Sequence, residues 1–205
     1  MMKSKLAVLL VVFIALGGCA RVRYPDYYVL SLPSPVSASG NSGPIAASVA
    51  VREFRAPQYL RQGPIVYRPE SEQIAFYDYH HWAEDPRQSV TTAIVHDLKQ
   101  VFESAELYDG RQSAEFVLTG SLDHLEEVDR ERSVSVEVGI SAKLKNVKTG
   151  DVMWSDTSFK TSEVHQRSLP AVVAEMSHDL TEAATQVVSS IRRQASQSAF
   201  RANND

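Results

Sequence analysis

Alternation organises the middle of the chain. Val134, Val136, Val138, Ile140, Ala142 and Leu144 occupy every second position, with Ser135, Glu137, Ser141 and Lys143 between them. A period of two gives a β-strand one apolar and one polar face. "EFVLTGSL" places Phe116, Leu118 and Leu122 on one face around Gly120, and "KNVKTGDVMW" turns at Thr149-Gly150-Asp151 into a third strand. Val152 and Trp154 share a parity that Phe159 lacks, which predicts a bulge between Trp154 and Phe159. Upstream, Tyr28, Leu30 and Leu32 alternate, as do Val49 and Val51, and "PIVYR" and "EQIAFYDYHHW" read as two strands joined at Arg68-Pro69-Glu70-Ser71.

Two stretches repeat at three and four. Asp85 suits a helix N-cap and Pro86 the first helical position; Val90, Ala93, Ile94, Leu98, Val101, Phe102 and Ala105 continue as one stripe. A second helix starts near Ser168-Leu169-Pro170, with a stripe from Val172 through Met176, Leu180, Ala183 and Val187 to Ile191. Strands, a helix, three strands and a helix predict an α+β fold: a mixed, mostly antiparallel sheet with two amphipathic helices packed on one face. Residues 33–48, rich in Pro, Ser, Gly and Ala, read as a loop, and the acidic stretch 123–132 reads as a solvated hairpin tip offset by Arg130 and Arg132.

The N-terminus changes the picture. Lys3 and Lys5 precede an apolar run, Leu6 to Leu16, about half the ~20 residues a spanning helix needs. This is the layout of a secretory signal. "LGGC", Leu16 to Cys19, resembles a bacterial lipobox, and Cys19 is the sole cysteine, without a disulfide partner in the chain. The resemblance implies cleavage before Cys19 and lipid attachment to it. Ala20 after the cysteine, where Asp would favour inner-membrane retention, implies the outer membrane, facing the periplasm. Residues 1–18 are thus expected as signal peptide, 19–26 as lipidated tether, 27–193 as a single domain and 194–205 as a disordered tail. Losing Lys3 and Lys5 moves the formal charge from −4 to −6, and no basic stripe suggests nucleic acid as a partner.

Candidate chemistry concentrates in "YDYHHWAEDP", residues 77–86. In an extended strand His80 faces with Ile74, Phe76 and Trp82, and His81 with Tyr77 and Tyr79, so one metal ion could not readily use both histidines. No histidine pair has the i, i+4 spacing of a helical zinc site. Asp85 and Glu84 have plain work at a helix start. Nucleophile elbows, phosphate-binding glycine loops and dinucleotide fingerprints are absent from the sequence. A hydrolase reading rests only on His80, His81 and Glu84; the reading favoured is a protein without catalytic residues, metal or cofactor.

Residues 51–90 resemble the signature of the ABC-type transport auxiliary lipoproteins: Pro57, Tyr59 and Leu60, then Ile65-Val66-Tyr67-Arg68, then Tyr77, Tyr79, His80, Trp82, Ala83, Glu84 and Pro86. Members often carry Arg before the tryptophan, where this chain has His81. The resemblance implies a non-catalytic component of an intermembrane lipid transport system. Its partners would be a periplasm-spanning substrate-binding protein with mammalian-cell-entry (MCE) domains and the ABC permease and ATPase. Tyr59, Tyr67, Tyr77, Tyr79 and His81 are the candidate partner interface. The alternative is a structural or assembly lipoprotein, with copies forming a ring, that stabilises another outer-membrane complex.

Overall fold

The computed structural model describes residues 23–33, 43–111, 113–130 and 132–196; Cys19 and the expected signal segment lie outside them, as do residues 34–42 of the expected loop and 197–205 of the expected tail. Three long strands form one side of a single sheet: β6 (Phe116–Arg130), β7 (Ser133–Asn146) and β8 (Val152–Val164), joined as antiparallel hairpins. The other edge of β6 carries two short arms. Its first half pairs in parallel with β2 (Ile45–Val51), which pairs with β5 (Phe102–Leu107). Its second half pairs in parallel with β3 (Pro64–Glu70), followed outward by β4 (Gln73–Trp82) and β1 (Asp26–Tyr28). Between the arms, a bridge from Arg55 to Ser121 and a 3-10 turn, Gln58–Arg61, carry the chain along the β6 edge.

Both helices, α1 (Pro86–Leu98) and α2 (Leu169–Ser196), pack on the same face of this mixed, mostly antiparallel sheet, as the apolar stripes require. Val90, Ile94 and Leu98 of α1 and Met176, Leu180, Val187 and Ile191 of α2 meet Leu118, Leu122, Val136, Val138, Ile140 and Leu144 in one core. Each such side chain, fully buried, contributes roughly 1.5–3 kcal/mol. Polar bonds fix how α2 lies on β8: Trp154 Nε1 donates to Ser190 Oγ (3.0 Å), Ser158 Oγ to Gln186 Oε1 (3.0 Å) and Ser162 Oγ to Asp179 Oδ1 (2.8 Å).

Several expectations need correction. The first helix stops at Leu98, and Phe102 and Ala105, read as its stripe, belong to β5. Phe102 and Ala105, three apart, fit the helix face and in a strand point to opposite faces; parallel pairing with β2 nonetheless makes the strand. Residues 123–130 are not a solvated tip but the second half of β6, with Leu125, Glu126, Glu127 and Val128 all buried. A register shift between Leu122 and His124 exchanges the inward parity and draws the acidic run into the sheet. The bulge near β8 lies between Val152 and Trp154, not between Trp154 and Phe159; register is continuous from Trp154 to Val164. Phe159 takes the other parity because it points away from the helices, 54% exposed. Ile45–Ser48, read as loop, open β2. β1 ends at Tyr28, so the strand expected to reach Leu32 is short, although Leu30 is still buried. α2 continues to Ser196, beyond Gln194, where the tail was expected to begin.

Candidate functional site

The strand-to-helix junction is framework at its lower end. Trp82 is buried and its backbone N–H donates to Gly63 O (2.8 Å). Asp85 caps α1: its Oδ1 accepts from the Arg87 backbone N–H (3.0 Å), and Arg87 Nε lies 3.0 Å from both carboxylate oxygens. Burial acts to raise the Asp85 pKa, but these hydrogen bonds and the Arg87 charge outweigh it and hold the carboxyl below its usual range.

The two histidines part company, but not along the expected lines. The β3–β4 register shifts between Pro64 and Val66, so the simple alternation fails before His80. His80 joins Tyr77, edge to face at 5.6 Å, and its Nδ1 lies 3.3 Å from the Tyr28 hydroxyl and 3.5 Å from Asp26 Oδ2. His81 turns instead to Tyr27, with ring centroids 5.9 Å apart, and its Nε2 is 3.3 Å from the Asp78 carbonyl oxygen.

The five residues of the candidate interface divide into two environments. Tyr59 and Tyr77 are half-buried, and each holds a buried glutamate. Tyr59 donates to Glu126 Oε2 (3.0 Å) on the outer sheet face, and Tyr77 donates to Glu127 Oε2 (2.8 Å) on the helix face. Tyr67 packs on Tyr77 with centroids 4.8 Å apart. Burial, then the negative charge of Glu126, pushes the Tyr59 hydroxyl well up; burial, then the hydrogen bond to Glu127, does the same to Tyr77. Glu126 also accepts from Arg68 and lies 3.1 Å from His124 Nδ1, so its carboxylate is satisfied in full burial. Burial raises the Glu127 carboxyl, with the bond from Tyr77 pulling the other way.

Tyr79 and His81 belong to a second environment. Tyr79 is 39% exposed with the Arg23 guanidinium 4.7 Å over its ring, and the neighbouring Tyr24 and Tyr27 are 77% and 65% exposed. Sequence reasoning passed over Tyr24 and Tyr27. Their signal is "RVRYPDYY", arginines and tyrosines clustered in sequence at a strand too short to bury them. Exposed tyrosine with arginine is the composition of interface cores.

Among the described residues two groups could hold a metal ion: His124, Glu126 and Glu137, and Glu175, His178 and Asp179, each with ligand atoms within 4.8 Å of one another. Neither includes His80 or His81. In the first, Glu126 is already committed to Arg68, Tyr59 and His124.

The model of the ABC-type transport auxiliary lipoprotein component matches residues 28–188, which include the aromatic junction and both buried glutamates. The chain belongs to this family. It is therefore an auxiliary lipoprotein component of an ABC-type transport system. No curated protein matches the sequence. The family member's fold resembles that of protein XCC0632 from Xanthomonas campestris, at 16% identity over 85% of this chain and 99% of that one, with a TM-score of 0.73. It also resembles a structure described only as an uncharacterized protein, at 13% identity over 82% and 99%, with a TM-score of 0.64. PelC of Paraburkholderia phytofirmans, a dodecamer, shares 19% identity over 75% and 94%, with a TM-score of 0.47.

Proposed function

We propose that this lipoprotein is the outer-membrane end of an ABC-type system that moves lipid across the envelope. Lipidated Cys19 anchors it on the periplasmic side, and it docks, without catalysis, onto a periplasm-spanning MCE-domain protein. Family membership supports the transport role. The observation that supports docking is the exposed tyrosine face of Tyr24, Tyr27 and Tyr79 with Arg23 and His81, on the outermost strands of one arm of the sheet. Tyr59, Tyr67 and Tyr77 are half-buried on the same arm, where Tyr59 and Tyr77 tie it to β6 through the two glutamates.

Affinity capture of the tagged full chain from solubilised envelope is expected to recover an MCE-domain protein and its permease. Cys19→Ala is expected to leave the outer-membrane fraction. Capture that returns only copies of this chain would favour a second reading, a self-assembled structural lipoprotein. One feature favours that reading: β8 pairs with β7 alone, leaving its other edge without a strand partner among the described residues.

A further inference from the structure

Opposite the helices, the first half of β6 and the second half of β7 turn polar side chains outward. Between them and the β2 arm runs an open groove of about 580 Å³. Four cations line it: Arg52, Arg55, Lys143 and Lys145. No Asp or Glu lines it, in a chain of net charge −4. Three cations elsewhere in the fold are held by carboxylates: Arg68 by Glu126, Arg87 by Asp85 and Glu53, Lys160 by Glu182. The groove cations form no ion pair among the described residues; Arg52 lies over the Tyr108 ring at 4.9 Å, which leaves its in-plane N–H groups available.

The rest of the lining also points to an oxyanion. Ser121 and Ser141 contribute hydroxyls, Ser155 Oγ already donates to Ala142 O (3.4 Å), and Thr119 Oγ1 is buried without a hydrogen-bond partner. Buried hydroxyls seldom stay unpaired. Hydroxyls and clustered Arg and Lys are the donors that phosphate takes.

A second hollow of about 470 Å³ shares Arg52, Val117 and Lys145 with the groove. It continues toward Tyr108, Ala114 and Val147, the last 56% exposed. A cationic, hydroxyl-lined groove thus adjoins a mixed hollow in which Ala50, Ala114, Val117 and Val147 supply apolar surface beside Arg52 and Lys145, the polarity order of an anionic amphiphile.

We propose that this track binds the phosphate head group of an anionic lipid, with the proximal part of the acyl chain against Val117, Tyr108 and Val147. The track lies on the β2–β5 arm, at the other end of the sheet from the tyrosine face, so lipid contact and partner docking use separate surfaces. The inference deepens the transport reading and rests on it for its physiological meaning. Its test needs no partner protein, so its failure is distinct from failure to capture an MCE-domain protein.

Full-length protein in a non-ionic detergent is titrated with fluorescent short-chain phosphatidylglycerol, with phosphatidylcholine, glycerol phosphate, inorganic phosphate and polyglutamate as competitors. Phosphatidylglycerol is expected to bind at least tenfold more tightly than any competitor, and its binding to weaken with salt. Lys143→Gln with Lys145→Gln on β7, and separately Arg55→Gln on the other wall, are each expected to weaken it tenfold or more with unchanged circular dichroism. Binding that both variants retain overturns the site. Inorganic or glycerol phosphate competing as well as the lipid overturns the lipid assignment. Polyglutamate winning in a Lys143-dependent way assigns the groove to an acidic protein instead.

Discussion

At the scale of single residues, two adjacent glutamates carry opposite consequences. Glu126 is wholly buried and depends on Arg68. Arg68→Ala leaves that carboxylate with Tyr59 and His124 alone, so unfolding by denaturant should show a loss of about 3–5 kcal/mol. Glu127 has its carboxyl raised by burial. The folded state then holds that proton more tightly than the unfolded chain. The resulting stability is full below the ordinary carboxylate range and is lost as pH rises through the raised value. Glu127→Gln should therefore gain stability relative to the parent as pH rises above the ordinary carboxylate range, read from urea midpoints at each pH. A parent and variant with parallel pH profiles would contradict this assignment. The tyrosines over these acids were legible as a group, because aromatic residues in "PIVYR" and "IAFYDY" stand out. Their division between buried support and exposed surface was not. It depends on a register shift in β4 and on the partners brought by β6, neither of which local spacing encodes.

Elements were readable where one period governs them. β7 and α2 each carry a long uninterrupted stripe, and both form as the stripe dictates. The Asp85–Pro86 start of α1 was equally plain, because a cap is a local device. Asp85→Ala should cost about 1 kcal/mol in unfolding free energy and leave the second helix intact. β5 and the second half of β6 depend on partners distant in sequence. The apolar residues of β5 continue a helix-like spacing, and a charged run looks solvated until its neutralising partner is known. For β5 the deciding partner is β2, and for β6 it is Arg68, 58 positions away along the chain from Glu126. Gly120 marks where the elements are pressed together. A Cβ there would lie 2.3 Å from the Phe54 ring, so Gly120→Ala should destabilise by roughly 1–3 kcal/mol, visible as a lowered melting temperature.

For the whole molecule, the helices close one face of the sheet and, among the described residues, no helix covers the other. The exposed tyrosines and the cationic groove sit on different arms of that sheet. On the reading proposed above, this separation would let one small lipoprotein hold a partner and meet a lipid head group at the same time. Site-specific photocrosslinking in the intact envelope tests the docking claim most directly, with the crosslinker placed in turn at Tyr27, Tyr79 and, as a distant control, Lys148. Adducts with an MCE-domain protein from Tyr27 and Tyr79 but not from Lys148 are the expected result. Adducts from the tyrosine positions only with other copies of this chain would contradict it.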